Sequence, residues 1–198
     1  MSKETSRKPS KSDRTRADIL AAAQELFASL GYESTTIRDI AAKASIDPAM
    51  VIRYFGSKDE LFARAASIKL RLPSVTAVGR DKIGEALARH FLDIWEGAES
   101  AKGMAIMLRS ATSNEVAAEK MREVFARQVG PAIADLGSRA TAAQRAGLVS
   151  SQLLGLALCR YVLKLPPVVA MSGDEIVAHV GPTLQRYATG VGASGNQP

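Results

Sequence analysis

The stretch TIRDIAAKASIDPAMVIRYFGSK, Thr36 to Lys58, constrains this chain most, because it holds two short helical patterns separated by only three residues. Ile37, Ile40, Ala41 and Ala44 fall at i, i+3, i+4 and i+7, one face of a helix of about two turns, and Thr36 with Asp39 supplies a capping box at its start. Ser45, Ile46 and Asp47 follow. Asp47 suits an N-cap, Pro48 suits the first helical position, and Val51, Tyr54 and Phe55 repeat at i, i+3 and i+4. The spacing predicts a helix-turn-helix in which Ile46 is the apolar plug between the helices. Ala49, Met50, Ile52 and Arg53 then point outward. Outward Met and Ile on so short a helix need a partner, and a DNA major groove is the surface this motif fits.

The rest of the chain reads as helix throughout. Residues 1–12 are rich in Lys, Ser, Arg and Pro and lack periodicity, so a disordered basic arm is expected there, either a solvated tail or a reach to phosphates or the minor groove. A first helix starts at Asp13 or Arg14, with Ile19, Ala22, Ala23, Leu26, Phe27 and Leu30 on one stripe and Gly31 as its stop. Ser57 and Glu60 read as another capping box, opening a linking helix that carries Leu61, Phe62, Ala65, Ile68 and Leu72 before Pro73 ends it. The expected DNA-binding domain is therefore 13–72 and the expected second domain 73–190.

Within that second domain the apolar stripes are Ile83, Leu87, Phe91, Ile94 and Trp95, then Met104, Met107, Leu108 and Ala111, then Met121, Val124, Phe125, Ile133 and Leu136. Gly130 and Pro131 should kink or divide the third. Thr141 to about Leu163 is apolar on nearly every side, which predicts burial against two neighbours. Ser172 and Glu175 box a last helix whose stripe of Ile176, Val180, Leu184 and Tyr187 is interrupted by Gly181 and Pro182. Residues 191–198 read as a disordered tail. No stretch alternates with the period of a half-buried strand, so the fold class is all-α.

Charge sharpens the reading. The 198 residues carry a formal +6, and residues 1–71 hold 13 Lys+Arg against 9 Asp+Glu, most of the excess. A polyanionic partner at the N-terminal end follows from that distribution. Cys159 is the one cysteine, and no apolar h-region follows the basic N-terminus, so a reducing cytoplasm is expected. Ala146 to Leu165 has an uninterrupted apolar core only from Leu153 to Cys159, too short for a membrane span of about 20 residues. His90 and His179 lack metal-ligand spacing, Cys159 reads as a small buried hydrophobe, and no cofactor or catalytic residue is expected.

Arg16 to Arg64 resembles the N-terminal domain of the tetracycline-repressor (TetR) family. Ile19 through Phe27, the Gly31-Tyr32 bend, Thr35-Thr36, Ile40-Ala41, and Phe55 with Ser57-Lys58 and Leu61 carry the resemblance. It covers about a quarter of the chain, and the helical remainder looks like the family's ligand-binding and dimerisation domain. Two positions depart. Ser45 stands where the family usually has Gly at the turn, costing on the order of 1 kcal/mol if the left-handed geometry is kept. Ile52 replaces a usual Tyr, so that position can offer only an apolar contact, for example to a thymine methyl.

The resemblance and the motif together assign roles. Thr36, Tyr54 and Lys58 are the expected phosphate anchors, Tyr54 by its match to a backbone-contacting position. Arg38 and Arg53 are the candidates for guanine O6 and N7, and Pro48, Ala49, Met50 and Ile52 complete the DNA-binding set. Phe91, Trp95, Met104, Met107, Leu108, Met121 and Phe125 are the expected ligand pocket; without the resemblance such a stripe reads as plain core. Val149, Leu153, Leu156, Ile176, Val180, Leu184 and Tyr187 are the expected dimer interface. The implied function is a homodimeric, ligand-responsive transcriptional regulator, most simply a repressor, that binds a palindromic DNA operator and is released by a small apolar effector. Two readings compete. One is a helical-bundle enzyme or ligand carrier, against which stands the lack of any Glu-x-x-His pair, phosphate loop or nucleophile elbow. The other is a nucleoid-type binder without sequence preference.

Overall fold

The computed structural model describes residues 10–67, 69–97 and 100–190; the arm expected at 1–12 lies outside it up to residue 9, as does the tail expected at 191–198. Every regular element among the described residues is helical, as the all-α reading requires. The chain divides into two compact units between Ser67 and Ile68.

The first unit contains α1 (Lys11–Leu30), α2 (Ile37–Lys43), α3 (Pro48–Phe55) and α4 (Lys58–Ala65). Helix α1 begins two residues before the expected Asp13, because Ser10 forms a full capping box with Asp13. Its stripe closes on Ile19, Ala22, Ala23 and Phe27, whereas Leu30, expected on that stripe, is 52% exposed one residue before the Gly31 stop. Phe62 meets both Phe27 and Tyr32 edge-to-face, with centroids 5.1 Å and 5.0 Å away, while Phe27 and Tyr32 stack at 6.0 Å. Ile40, Val51, Leu61 and Phe62 complete a core of fully buried side chains, each contributing about 1.5–3 kcal/mol by leaving water. Thr35 is buried beside them and donates its hydroxyl to the Gly31 carbonyl at 2.8 Å.

The corner between α2 and α3 keeps left-handed geometry at Ser45, where φ is 55°. Its amide donates to Ala42 O at 3.1 Å and that of Ile46 to Ala41 O at 3.0 Å, which ties the turn back onto α2. The Cβ of Ser45 is strained in this conformation. A Ser45→Gly variant should therefore raise the stability of this unit by roughly 0.5–1 kcal/mol, and Ser45→Ala, which keeps the Cβ, should gain nothing. Urea denaturation of the two variants checks this; equal midpoints would remove strain as the explanation.

Helix α4 differs from expectation at both ends. Ser57 accepts from the Glu60 amide at 3.1 Å, but the return half of the box is not made, since the Ser57 amide donates to Phe55 O. At the other end the helix stops at Ala65 and does not run on to Leu72. The backbone of Leu70 finds other partners: its amide donates to Gln128 Oε1 at 2.8 Å and its carbonyl pairs with His90 Nε2 at 2.5 Å. Arg71 follows with φ at 48°, left-handed and outside helical geometry. Side-chain hydrogen bonds thus replace the helical ladder over this segment.

The second unit contains α5 (Val75–Val78), α6 (Ile83–Glu96), α7 (Ser100–Ser110), α8 (Glu115–Val124), α9 (Gly130–Ala134), α10 (Ala142–Ala157), α11 (Pro166–Val169) and α12 (Gly173–Thr189). Helix α8 runs into a π turn at Phe125–Val129, where Gly130 N–H reaches back to Phe125 O, and α9 carries Pro131 in its first turn. The expected division at Gly130 and Pro131 is present and takes this form. A second π turn, Leu158–Val162, ends α10. Helix α12 starts with the full Ser172–Glu175 box and runs through Gly181 and Pro182 unbroken. It can do so because it packs closely on α6, where Gly84 N–H donates to Gln185 Oε1 at 2.8 Å and Ile83, Leu87, Ile176 and Leu184 are buried.

Candidate nucleic-acid interface and apolar cavity

Helix α3 presents its faces in order. Val51 and Phe55 are buried, so Ala49 and Arg53 lie on the opposite side and are exposed, with Ile52 on one flank at 46% exposure and Met50 half-buried on the other. Pro48 is exposed at the helix start, where Asp47 caps by accepting from the Ala49 amide at 2.7 Å. Arg38 is exposed on α2.

The three expected anchors are placed differently from one another. Thr36 donates both its amide, at 2.9 Å, and its hydroxyl, at 2.6 Å, to the Asp39 carboxylate, so neither is the free donor that a phosphate site was expected to use. The Thr36 hydroxyl and amide hold the Asp39 carboxyl below the usual range. Lys58 is half-buried with Nζ 4.1 Å from the centre of the Tyr32 ring, and the Tyr32 hydroxyl donates to Asp59. Burial first, and that carboxylate second, push the Tyr32 hydroxyl pKa up. Tyr54 is half-buried under the Arg16 guanidinium, 5.4 Å from its ring centre. Arg16 was missed from sequence, because nothing in its spacing on α1 points to the third helix.

The second unit holds a cavity of about 110 Å³. Six of the seven expected pocket residues line it: Phe91, Trp95, Met104, Met107, Met121 and Phe125. Leu108 does not; next in sequence to the fully buried Met107, it takes a different direction round α7. Leu70 and Leu72 also line the wall, from a segment that the sequence had placed on a linking helix. So do Val149 and Leu153, expected at the dimer interface, Val149 buried and Leu153 half-buried. Ile176 and Leu184 are fully buried within their own unit, and they are withdrawn from a surface role. Leu156, Val180 and Tyr187 are half-buried. The exposed apolar side chains near these helices are instead Leu148, Leu158, Leu163, Leu165 and Val169, from 39% to 57% exposed. Period alone could not separate them, since α10 is apolar all round.

Behind the cavity wall, Trp95 stacks on Tyr161 with centroids 4.8 Å apart. The Tyr161 hydroxyl donates to Glu96 at 3.1 Å, and burial is the main cause that raises it to about 12. Among the described residues no cluster of three His, Cys, Asp or Glu could hold a metal, and no helix is long and apolar enough to cross a membrane.

These two features, a helix-turn-helix in one unit and a helical cavity domain in the other, match known proteins in the same order. Residues 19–65 match the bacterial regulatory proteins of the tetR family, and residues 81–188 match the tetracyclin repressor-like C-terminal domain. The chain belongs to the TetR family. A TetR-family regulator from Streptomyces coelicolor A3 is 31% identical over 92% of this chain and 98% of its own, with a TM-score of 0.61. SmeT in complex with triclosan shares the fold at 21% identity, over 93% of this chain and 98% of its own, with a TM-score of 0.63. A helix-turn-helix transcriptional repressor of Mycobacterium tuberculosis is 38% identical over 85 residues, 41% of this chain and 45% of that protein. The chain thus spans about half the length of the curated relatives it matches. TetR-family regulators bind DNA operators and small-molecule effectors, typically as dimers, and are transcription factors without enzymatic activity. The bundle-enzyme reading falls with that membership.

Proposed function

We propose that this TetR-family member is a cytoplasmic, ligand-responsive repressor that binds a palindromic operator as a homodimer and leaves it when a small lipophilic effector fills the cavity. The exposed face of α3, with Arg53 opposite the buried Val51 and Phe55, is the observation that carries the DNA half of this reading. Arg53 and Arg38 would read guanine, Ala49, Met50 and Ile52 would touch thymine methyls, Tyr54 and Lys58 would set the register on phosphates, and Pro48 and Thr36, at the starts of α3 and α2, would pack beside the DNA backbone. The apolar side chains at Leu148 and Leu158 would supply part of a dimer face, and a dimer would hold two recognition helices about 34–36 Å apart. The repressor and the triclosan complex among the related proteins favour repression and small-molecule response.

Because α4 ends at Ala65, release would not run through one continuous helix over residues 57–72. Leu70 and Leu72 line the cavity and follow directly on the DNA-binding unit in the chain, so an effector would act by displacing them. An effector that moves the balance from 1:99 to 99:1 must favour the released state by about 5.5 kcal/mol.

Fluorescence anisotropy on DNA from upstream of the protein's own coding region tests the reading. Arg53→Ala should cost about 1–3 kcal/mol of discrimination against mismatched sites, whereas Lys58→Ala should weaken all sites alike and lower the salt slope by about one. Binding that is indifferent to sequence in the unaltered protein would favour the nucleoid-type alternative and overturn the repressor reading.

A further inference from the structure

Helix α10 lines the cavity with Val149, Ser150, Leu153, Leu154 and Ala157. Ser150, Leu153, Leu154 and Ala157 stand at i, i+3, i+4 and i+7, so Ser150 occupies a place in the stripe where an apolar residue is the rule. Its neighbour Ser151 behaves as helix serines do, donating to the Leu148 carbonyl at 2.9 Å from an exposed position. Ser150 makes no side-chain hydrogen bond to any described residue, and among the described residues its hydroxyl is the only one on the cavity wall. Among the described residues no ionisable side chain lines the cavity. Three aromatic rings, Phe91, Trp95 and Phe125, and three sulfurs, of Met104, Met107 and Met121, make up much of the rest.

We propose that Ser150 is the specificity-determining residue of this cavity and that the ligand class is a neutral, single-ring aromatic bearing one hydrogen-bonding oxygen. This rests on the reading of the cavity as the effector site. The size argument uses volume: a dry apolar cavity of about 150 Å³ accepts benzene, so about 110 Å³ holds one ring only once the flexible Met side chains give slightly. Thioether sulfurs beside aromatic walls favour an aromatic occupant over an aliphatic one. With no counter-charge on the wall, an ionised ligand would lose its hydration without compensation and is excluded. A wholly apolar ligand would leave the Ser150 hydroxyl unpaired, and a ligand with one oxygen opposite it would not.

Three probes of matched shape, p-cresol, p-xylene and p-toluate, test this on the full chain, read through Trp95, the single tryptophan, whose emission reports the cavity directly. p-Cresol and p-xylene should both shift that emission and p-toluate should not. Ser150→Ala should weaken p-cresol about three- to tenfold while leaving p-xylene within about twofold, and Ser150→Thr, which keeps a hydroxyl, should restore p-cresol. Equal effects of Ser150→Ala on p-cresol and p-xylene, or p-toluate binding as tightly as p-cresol, would overturn the assignment, as would no response to any probe. If p-cresol binds with the expected dependence on Ser150 but leaves the operator complex intact, the ligand assignment stands and the effector reading of the cavity fails.

Discussion

Replacing Arg145 with Met should destabilise the second unit by about 3 kcal/mol. Arg145 is buried, at 4% exposure, and among the described residues no carboxylate lies within 4.0 Å of it. Its guanidinium donates instead to carbonyls: Nη1 to Ile133 O at 3.0 Å and to Ala188 O, and Nη2 to Ser138 O at 3.0 Å, while Nε reaches Thr141 Oγ1 at 3.2 Å. Ile133 and Ala188 lie at the C-terminal ends of α9 and α12, where the helix dipole is negative, and Ile133 O also accepts from the Leu136 amide at 3.1 Å. One cation therefore caps two helices. Burial, and to a lesser degree the charge of Arg80, lowers its pKa from the ordinary arginine value.

Two effects oppose each other in that substitution. Removing a buried cation relieves its desolvation, which in buried ion pairs often makes an apolar replacement neutral. Here Met replaces none of the charge-assisted bonds to the three carbonyls, each worth about 1.5–3 kcal/mol, so the loss prevails. Thermal denaturation should show a drop of roughly 10 °C for a unit of this size. Arg145→Lys, with three donors and no planar fork, should fall between the two. A Met variant that melts with the unaltered protein would mean that desolvation and carbonyl capping cancel.

Gly84→Ala should cost nearly as much, about 2–3 kcal/mol, although it adds a single methyl group. A Cβ at Gly84 would stand 2.3 Å from Gly181 O and 2.5 Å from Gln185 N, both backbone atoms of α12 that cannot rotate away. Helices α6 and α12 would have to separate, and the Gly84 N–H bond to Gln185 Oε1 would lengthen with them. Better helix propensity returns about 1 kcal/mol, and the figure above includes it. The partner glycine is the control. A Cβ at Gly181 meets nothing nearer than Glu85 Cα at 3.5 Å, an ordinary contact, so Gly181→Ala should be close to neutral. If denaturation midpoints moved equally in the two variants, close approach at Gly84 would not be what sets this helix pair.

What was legible in the sequence follows from which signals are local. Capping boxes at Thr36 and Ser172, the Gly31 stop and the Pro131 break are read within a few residues, and each is present. The stripe of Phe91, Trp95, Met104 and Met107 was visible because these residues share helical faces, and the family resemblance turned it from core into pocket. The errors arose where a partner far away in sequence decided the outcome. Leu72 looked like one more turn of α4, but Gln128 and His90 take the backbone of Leu70 two residues earlier. Leu184 and Ile176 looked like interface, but α6 covers them. Ser10 and Asp13 formed a box that the polar character of the arm concealed. Arg145 gave no signal at all, since the carbonyls it serves carry no sequence signature.

Leu70 carries two tasks on separable atoms. Its side chain forms part of the cavity wall, while its amide and carbonyl, which every residue but proline possesses, are the groups gripped by Gln128 and His90. Substitutions at position 70 can therefore reshape what the cavity accepts without altering how the chain is fastened there. Changes at 128 and 90 can loosen the fastening without touching the ligand's contacts. A lineage built on this arrangement can drift in chemical preference and in responsiveness independently, one residue at a time.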